Sequence, residues 1–186
     1  MLSPLSIVWM LLHAIEQGSV DTVSHVLKTN QPCLDINAYC GLPLRLAVCK
    51  AKADCAAEQP LTESLAVVSL LLNAGADINA AHAADQRWVG YQRHIKKDMR
   101  AVGTNRHVAA KISSLMCVTF PDTPALALAC GQNELEPLVA LLLKHNADVA
   151  AGEGLALRSA ACFGATKIVR VLLQQGATAK DNASEA

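Results

Sequence analysis

The sequence predicts an all-α protein, built by stacking one small helical unit several times along the chain. A helix ending of the form LLxxGAD occurs at residues 70–77, recurs at 141–148 with Asn146 in place of the glycine, and has a weaker copy at 172–178. Apolar residues make up 52% of the chain but aromatic residues only 3%, so the core must consist mainly of Ala, Leu and Val. Small side chains of this kind suit closely stacked helices. Arrays of stacked repeats generally serve as binding surfaces.

The last unit, residues 155–177, shows the repeated pattern most completely. Gly164 lies where a first helix would end and Gly176 where a second helix would end, and glycine is favoured there because it accepts positive φ. The second helix carries one apolar stripe, made of Ile168, Val169, Leu172 and Leu173. Position for position, this unit resembles the ankyrin repeat, whose pattern is TPLHLAAxxGHxEVVxLLLxxGADVNA.

Three further units match the same frame. Their matching segments are 11–27 with a finger at 35–38, then 42–48 with 65–72 and a finger at 75–80, then 123–129 with 138–143. The resemblance implies an ankyrin-repeat solenoid of helix-turn-helix units with short β-turn fingers. We expect a single domain over residues 1–186. Its repeats lie at about 5–38, 39–80, 121–150 and 151–180.

Several positions depart from the family's pattern. The segments 42–45 and 155–158 replace TPLH, and the missing Thr removes a helix-capping hydroxyl, a loss of roughly 0.5–2 kcal/mol per site. We expect Arg45 and Arg158 to bond neighbouring backbone carbonyls instead. In the third unit the turn at 131–134 is longer than usual, and Pro137 suits the first turn of the helix that follows.

A first insertion, residues 51–62, interrupts the second unit between its two helices. The stretch is rich in Ala and contains Pro60, so we expect the first helix to continue to about Ala57 and to stop before the proline. Surface insertions are well tolerated, and we interpret this one as a solvated loop or helix extension.

A second insertion, residues 81–120, is too long for an ordinary structureless loop. It has an apolar stripe at helical spacing before Gly103, formed by Trp88, Tyr91, Ile95, Met99 and Val102. Between Asp85 and Ile112, seven basic residues against two acidic ones give a local net charge of +5, although the whole chain is neutral. Two interpretations stay open. The segment is either a basic helix that binds an acidic or phosphorylated partner, or a helical hairpin that packs its stripe on the stack and leaves its charges in water.

The resemblance implies non-catalytic protein binding, as an adaptor, an inhibitor or a host-directed factor, through the concave face and the second insertion. In the insertion we expect the binding residues to be Arg87, Arg93, His94, Lys96, Lys97 and Arg100. The variable ends of the first helices and one finger add Glu16, Gln17, Lys50, Phe163 and Tyr39. The alternative is binding of nucleic acid or another polyanion through helix 85–112, although Trp88 and Tyr91 lie on the apolar stripe and are expected to be buried.

No sequence pattern indicates catalysis, a cofactor or a metal site. The motifs HExxH and GxSxG and glycine-rich phosphate loops are absent, and the six histidines are dispersed. Seven scattered cysteines without a CxxC pair favour free thiols in a reducing compartment. No stretch approaches ~20 apolar residues, and the apolar run at 7–12 lacks the flanks of a signal peptide. We expect a cytoplasmic monomer, acting in a host cytoplasm if the chain is exported without such a signal.

Overall fold

A computed structural model describes residues 4–80 and 123–178, and these residues form eight α-helices. The helices are α1 Pro4–Gln17, α2 Val20–Asn30, α3 Ala38–Ala56, α4 Thr62–Asn73, α5 Ala125–Ala129, α6 Glu136–Lys144, α7 Ala151–Cys162 and α8 Thr166–Gln174. A 3₁₀ turn, Asn133–Leu135, precedes α6 and forms the longer turn expected in the third unit. These two ranges contain no strand, so the all-α prediction is confirmed for them. The whole second insertion and the end of the chain, from residue 179, lie outside the described residues.

The helices pair in chain order and the pairs stack side by side. The first helices form one row, in which α1 contacts α3, α3 contacts α5 and α5 contacts α7. The second helices form another row, in which α2 contacts α4, α4 contacts α6 and α6 contacts α8. The third pair therefore packs directly on the second, although the chain between them includes the second insertion.

Equivalent positions of the four units supply the core. On the first helices a leucine in each unit is buried, namely Leu11, Leu44, Leu126 and Leu157. One turn further on lies a buried alanine in each unit, namely Ala14, Ala47, Ala129 and Ala160. A methyl side chain at this position lets neighbouring helices approach closely, and leucines then fill the space between the rows. This is the Ala- and Leu-rich core that the composition predicts.

Each of the first three units ends in a tight turn held by an aspartate. We call these the finger turns, residues 35–38, 77–80 and 148–151. In each, the aspartate carboxylate accepts a hydrogen bond from the backbone N–H two residues later, at 3.0, 2.9 and 2.8 Å. The aspartates are Asp35, Asp77 and Asp148. An Asx turn of this kind fixes the backbone by a local side-chain bond.

Two asparagines then join one finger turn to the next. Asn37 accepts a hydrogen bond from the N–H of Asp77 at 2.7 Å and donates to the carbonyl of Gly75 at 3.3 Å. Asn79 accepts from the N–H of Asp148 at 2.8 Å and donates to the carbonyl of Asn146 at 3.5 Å. The second of these links also bridges the second insertion. We call the two links the finger ladder.

A left-handed stretch leads from two finger turns into the helix that follows. Gly41 has φ +72°, and a Cβ atom there would lie 2.6 Å from the Cβ of Ala80. Its equivalent, Gly154, has φ +75°, and a Cβ atom would lie 2.8 Å from the carbonyl oxygen of Thr178. Glycine is required at both positions, by its φ and by the close approach of the next turn. Beyond this stretch, Pro43 lies in the first regular turn of α3, where its missing N–H removes no helix hydrogen bond.

Two local expectations are confirmed. Helix α3 extends into the first insertion as far as Ala56, and Pro60 precedes the start of α4 at Thr62. In the last unit, the guanidinium of Arg158 donates a hydrogen bond to the carbonyl of Gly152 at 3.4 Å, which is the backbone contact expected for this arginine.

Candidate functional site

The C-terminal ends of the first helices lie far from the finger turns. From Gly41 to Asp54, helix α3 rises about 20 Å, at 1.5 Å per residue. At these distal ends lie three of the predicted binding residues, Gln17, Lys50 and Phe163. The stack therefore presents two separate edges, one formed by the finger turns and one by the helix ends.

A cleft of about 310 Å³ opens at the edge formed by the helix ends. It lies between the end of α1, the last turns of α3 and the start of α4, and the first insertion contributes part of its wall. Its lining residues are Gln17, Gly18, Lys50, Asp54, Gln59, Pro60, Glu63 and Ser64. Two of the predicted binding residues, Gln17 and Lys50, thus share one concave site.

A hydrogen-bonded network of three side chains holds one wall of the cleft. The ammonium group of Lys50 pairs with one carboxylate oxygen of Asp54. The hydroxyl of Ser64, which is only 4% exposed, donates to the other oxygen at 2.5 Å. The carboxylate therefore has a donor at each oxygen and ties α3 to α4 across the insertion. Because hydrogen bonds to a charged group are among the stronger ones, this wall is pre-organised.

The neighbouring end of α1 is held by an internal bond. The amide nitrogen of Gln17 donates to the carboxylate of Glu16 at 2.8 Å. Glu16 itself is 8% exposed and so faces the protein interior. Tyr39 lies at the other edge, beside the first finger turn, where its half-buried ring is 5.9 Å from the ring of Trp9. Neither Glu16 nor Tyr39 lines the cleft.

A second feature of this edge is an exposed aromatic ring on the last unit. Phe163 is 66% exposed. The ammonium nitrogen of Lys52, from α3, lies 5.5 Å from the centre of this ring. A Cβ atom on Gly131, in the third unit, would lie 3.2 Å from the same nitrogen. The glycine therefore leaves room for the lysine of the second unit to reach the fourth, a cation–π contact of about 0.5–1 kcal/mol at an exposed site.

The described residues contain no candidate metal site, and two of their cysteines are buried. No group of three or more His, Cys, Asp or Glu side chains is placed to hold a metal ion there. Burial raises the pKa of the Cys49 thiol to about 11 and that of Cys130 to about 12, so neither is a nucleophile near neutral pH. Cys33 and Cys162 are exposed free thiols.

The structure adds residues that the sequence did not single out. Asp54, Gln59, Glu63 and Ser64 line the cleft with Gln17 and Lys50. One signal for them was present, since Lys50 and Asp54 have the i, i+4 spacing of a helical ion pair. The predicted basic residues of the second insertion lie outside the described residues; they are Arg87, Arg93, His94, Lys96, Lys97 and Arg100.

No protein-family model matches the chain, and no curated protein matches it significantly. In the described ranges, no helix combines the length and the hydrophobicity needed to cross a membrane.

Proposed function

We propose that this chain is an ankyrin-like repeat module that binds a protein partner without catalysing a reaction. The observation that carries the proposal is the finger ladder. Asn37 and Asn79 occupy the same position of successive units and make the same two bonds to the next turn. A link of this kind, repeated in register with paired and stacked helices, supports a repeat solenoid. Such solenoids present extended concave surfaces to their partners.

Surface chemistry also supports binding. At the edge formed by the helix ends, the repeated register carries a different side chain in each unit, with Gln17, Lys50 and Phe163 as examples. The core positions beneath them repeat the same Leu and Ala. The residues that stabilise the stack therefore differ from the residues proposed to bind the partner. The proposed binding surface is the concave face, with these helix ends, together with the second insertion, and the partner is a protein with an acidic or phosphorylated face toward the basic residues. The module acts as a monomer in a cytoplasm.

Affinity purification with mass spectrometry tests the proposal. The full chain is compared with a deletion of residues 86–108 and with the triple variant Lys96→Glu, Lys97→Glu, Arg100→Glu. A matched control reverses three exposed basic residues on the second helices, Lys28→Glu, Lys144→Glu and Arg170→Glu. We expect the full chain and the control to capture the same specific protein, and the other two variants to lose it. Identical partner lists for all four proteins would exclude the insertion from binding.

Salt dependence separates protein binding from the polyanion alternative. Binding to nucleic acid releases counterions, so its affinity falls steeply and linearly in a log–log plot against salt concentration. We expect capture of a specific protein that survives moderate salt and nuclease treatment. Loss of all capture after nuclease treatment, with a steep slope for purified DNA or RNA, would favour the alternative.

A further inference from the structure

We infer that the cleft at the ends of α1 and α3 is a pocket for an arginine side chain of the protein partner. This inference rests on the proposed function, because it assigns the chemistry of one part of the same binding surface. The cleft's volume, about 310 Å³, is at the lower end of the range for ligand sites. A volume of this size holds one long side chain and the backbone of its residue, but not a helix or a strand.

The charge balance of the cleft favours a cation. Its charged lining residues are Lys50, Asp54 and Glu63, which leave a net charge of −1. Lys50 and Asp54 neutralise each other in their ion pair. Glu63 is exposed and has no ion-pair partner among the described residues, so its carboxylate is the charge that a ligand meets.

The hydrogen-bonding groups favour a ligand rich in donors. Gln17 directs its amide nitrogen to a carboxylate oxygen, and Gln59 directs its own to the carbonyl of Ala57 at 3.4 Å. Both acceptors are oxygens, so the side-chain atoms that face them are the amide nitrogens. The side-chain carbonyl oxygens of Gln17 and Gln59 therefore remain for a ligand. With the Glu63 carboxylate, the cleft thus offers acceptors on three side chains. A guanidinium, planar and with five N–H donors, matches several acceptors at once better than an ammonium does.

Titration of the full ¹⁵N-labelled chain with N-acetyl-arginine amide tests this inference by NMR. We expect saturable shifts at the backbone amides of Gly18, Gln59 and Glu63, smaller shifts with N-acetyl-lysine amide, and none with N-acetyl-glutamate amide. The variant Glu63→Gln should weaken arginine binding about three- to fivefold, the size of a strong surface charge pair. Glu153→Gln makes the same chemical change at an exposed residue just after the third finger turn and should leave binding unchanged.

Equal arginine binding by Glu63→Gln and the unaltered chain would overturn the inference, as would shifts scattered over the surface or a stronger response to the glutamate derivative. The spectrum of the free variant shows directly whether it is folded. Because the probe is a small molecule, the result does not depend on any partner. A negative titration beside successful capture of a protein partner would reject the arginine pocket alone and leave the proposed function standing.

Discussion

Replacing Ala150 by asparagine should extend the finger ladder by one step. Ala150 occupies the position of Asn37 and Asn79 in the third finger turn, and its N–H makes the same bond, to Asp148 at 2.8 Å. Its backbone angles, φ −88° and ψ −9°, are close to those of Asn37, φ −99° and ψ 12°. The last unit offers the matching donor, since Thr178 supplies a backbone N–H at the position of Asp77 and Asp148, whose N–H groups donate to the two asparagines. Only the amide side chain is missing.

The expected gain follows from the two bonds that the other asparagines make. Each net hydrogen bond contributes about 0.5–1.5 kcal/mol, and these bonds are exposed, so the lower end applies. Ordering the new side chain offsets part of the sum. We expect the free energy of unfolding to rise by about 1 kcal/mol and the melting temperature by roughly 2–4 °C for a chain of this size.

Urea titration and thermal melting, both followed by circular dichroism, measure the gain. Ala150→Asp is the matched control, because aspartate has nearly the same volume and equals asparagine as a helix cap. It accepts a bond from the N–H of Thr178 but cannot donate to the carbonyl of Gly176. We expect Ala150→Asn to be clearly the more stable of the two. If both variants gained equally, capping would explain the effect; if neither gained, the ladder would not be a stabilising device.

Three further predictions concern the same framework. Asn79→Ala should lower the free energy of unfolding by about 1–2 kcal/mol in urea, because it removes both bonds across the second insertion; an unchanged midpoint would contradict this. Gly154→Ala should destabilise the protein by at least about 1 kcal/mol more than Gly164→Ala does, as measured in thermal melts. Both glycines have positive φ, but only at Gly154 would a Cβ atom lie 2.8 Å from a carbonyl oxygen. Burial raises the pKa of Cys49 to about 11 and that of Cys130 to about 12, above the ordinary value of 9.0. The free energy of unfolding should therefore be unaffected by these thiols below pH 9 and should fall as the pH rises from 9 toward 11 and 12, because the unfolded chain loses these protons first. Alkylation at about pH 8, followed by peptide mapping, should accordingly label the exposed thiols long before these two.

Local sequence patterns predicted the parts of the fold that depend on neighbouring residues. Glycines and the LLxxGAD ending indicated where helices stop, and Pro60 indicated where α3 gives way to α4. The apolar stripe of the last unit included Ile168 and Leu172, and both are buried in α8. These features are readable because the same short-range physics recurs in each unit, so four copies support one interpretation.

The cleft could not be predicted in the same way. Its walls come from α1, α3, the first insertion and α4. These segments lie next to one another only because of how far α3 extends before the chain turns back. Ser64 lies ten residues beyond its partner Asp54, with the turn of the insertion between them. Glu16 illustrates the same limit, since its place at the end of α1 suggested an exposed side chain and the packing buries it. The walls of the cleft and the burial of Glu16 both depend on contacts between helices, which the pattern within a single helix does not show.

Under the proposed function, the first insertion alters the binding surface and leaves the contacts that hold the stack together in place. It leaves the contacts of α3 with α1, α4 and α5 in place, and the finger ladder lies at the opposite edge. At the edge formed by the helix ends it adds Gln59 and Pro60 to the wall of the cleft, and the helix extension carries Lys52 to the ring of Phe163. Substitutions at these exposed positions should therefore alter binding with little loss of stability, since surface changes are usually within about 0.5 kcal/mol. Truncating a buried leucine such as Leu126 should instead cost about 2–5 kcal/mol. A repeat array separates the two roles because the buried Leu and Ala positions recur in every unit, whereas the side chains at the ends of the first helices differ from unit to unit.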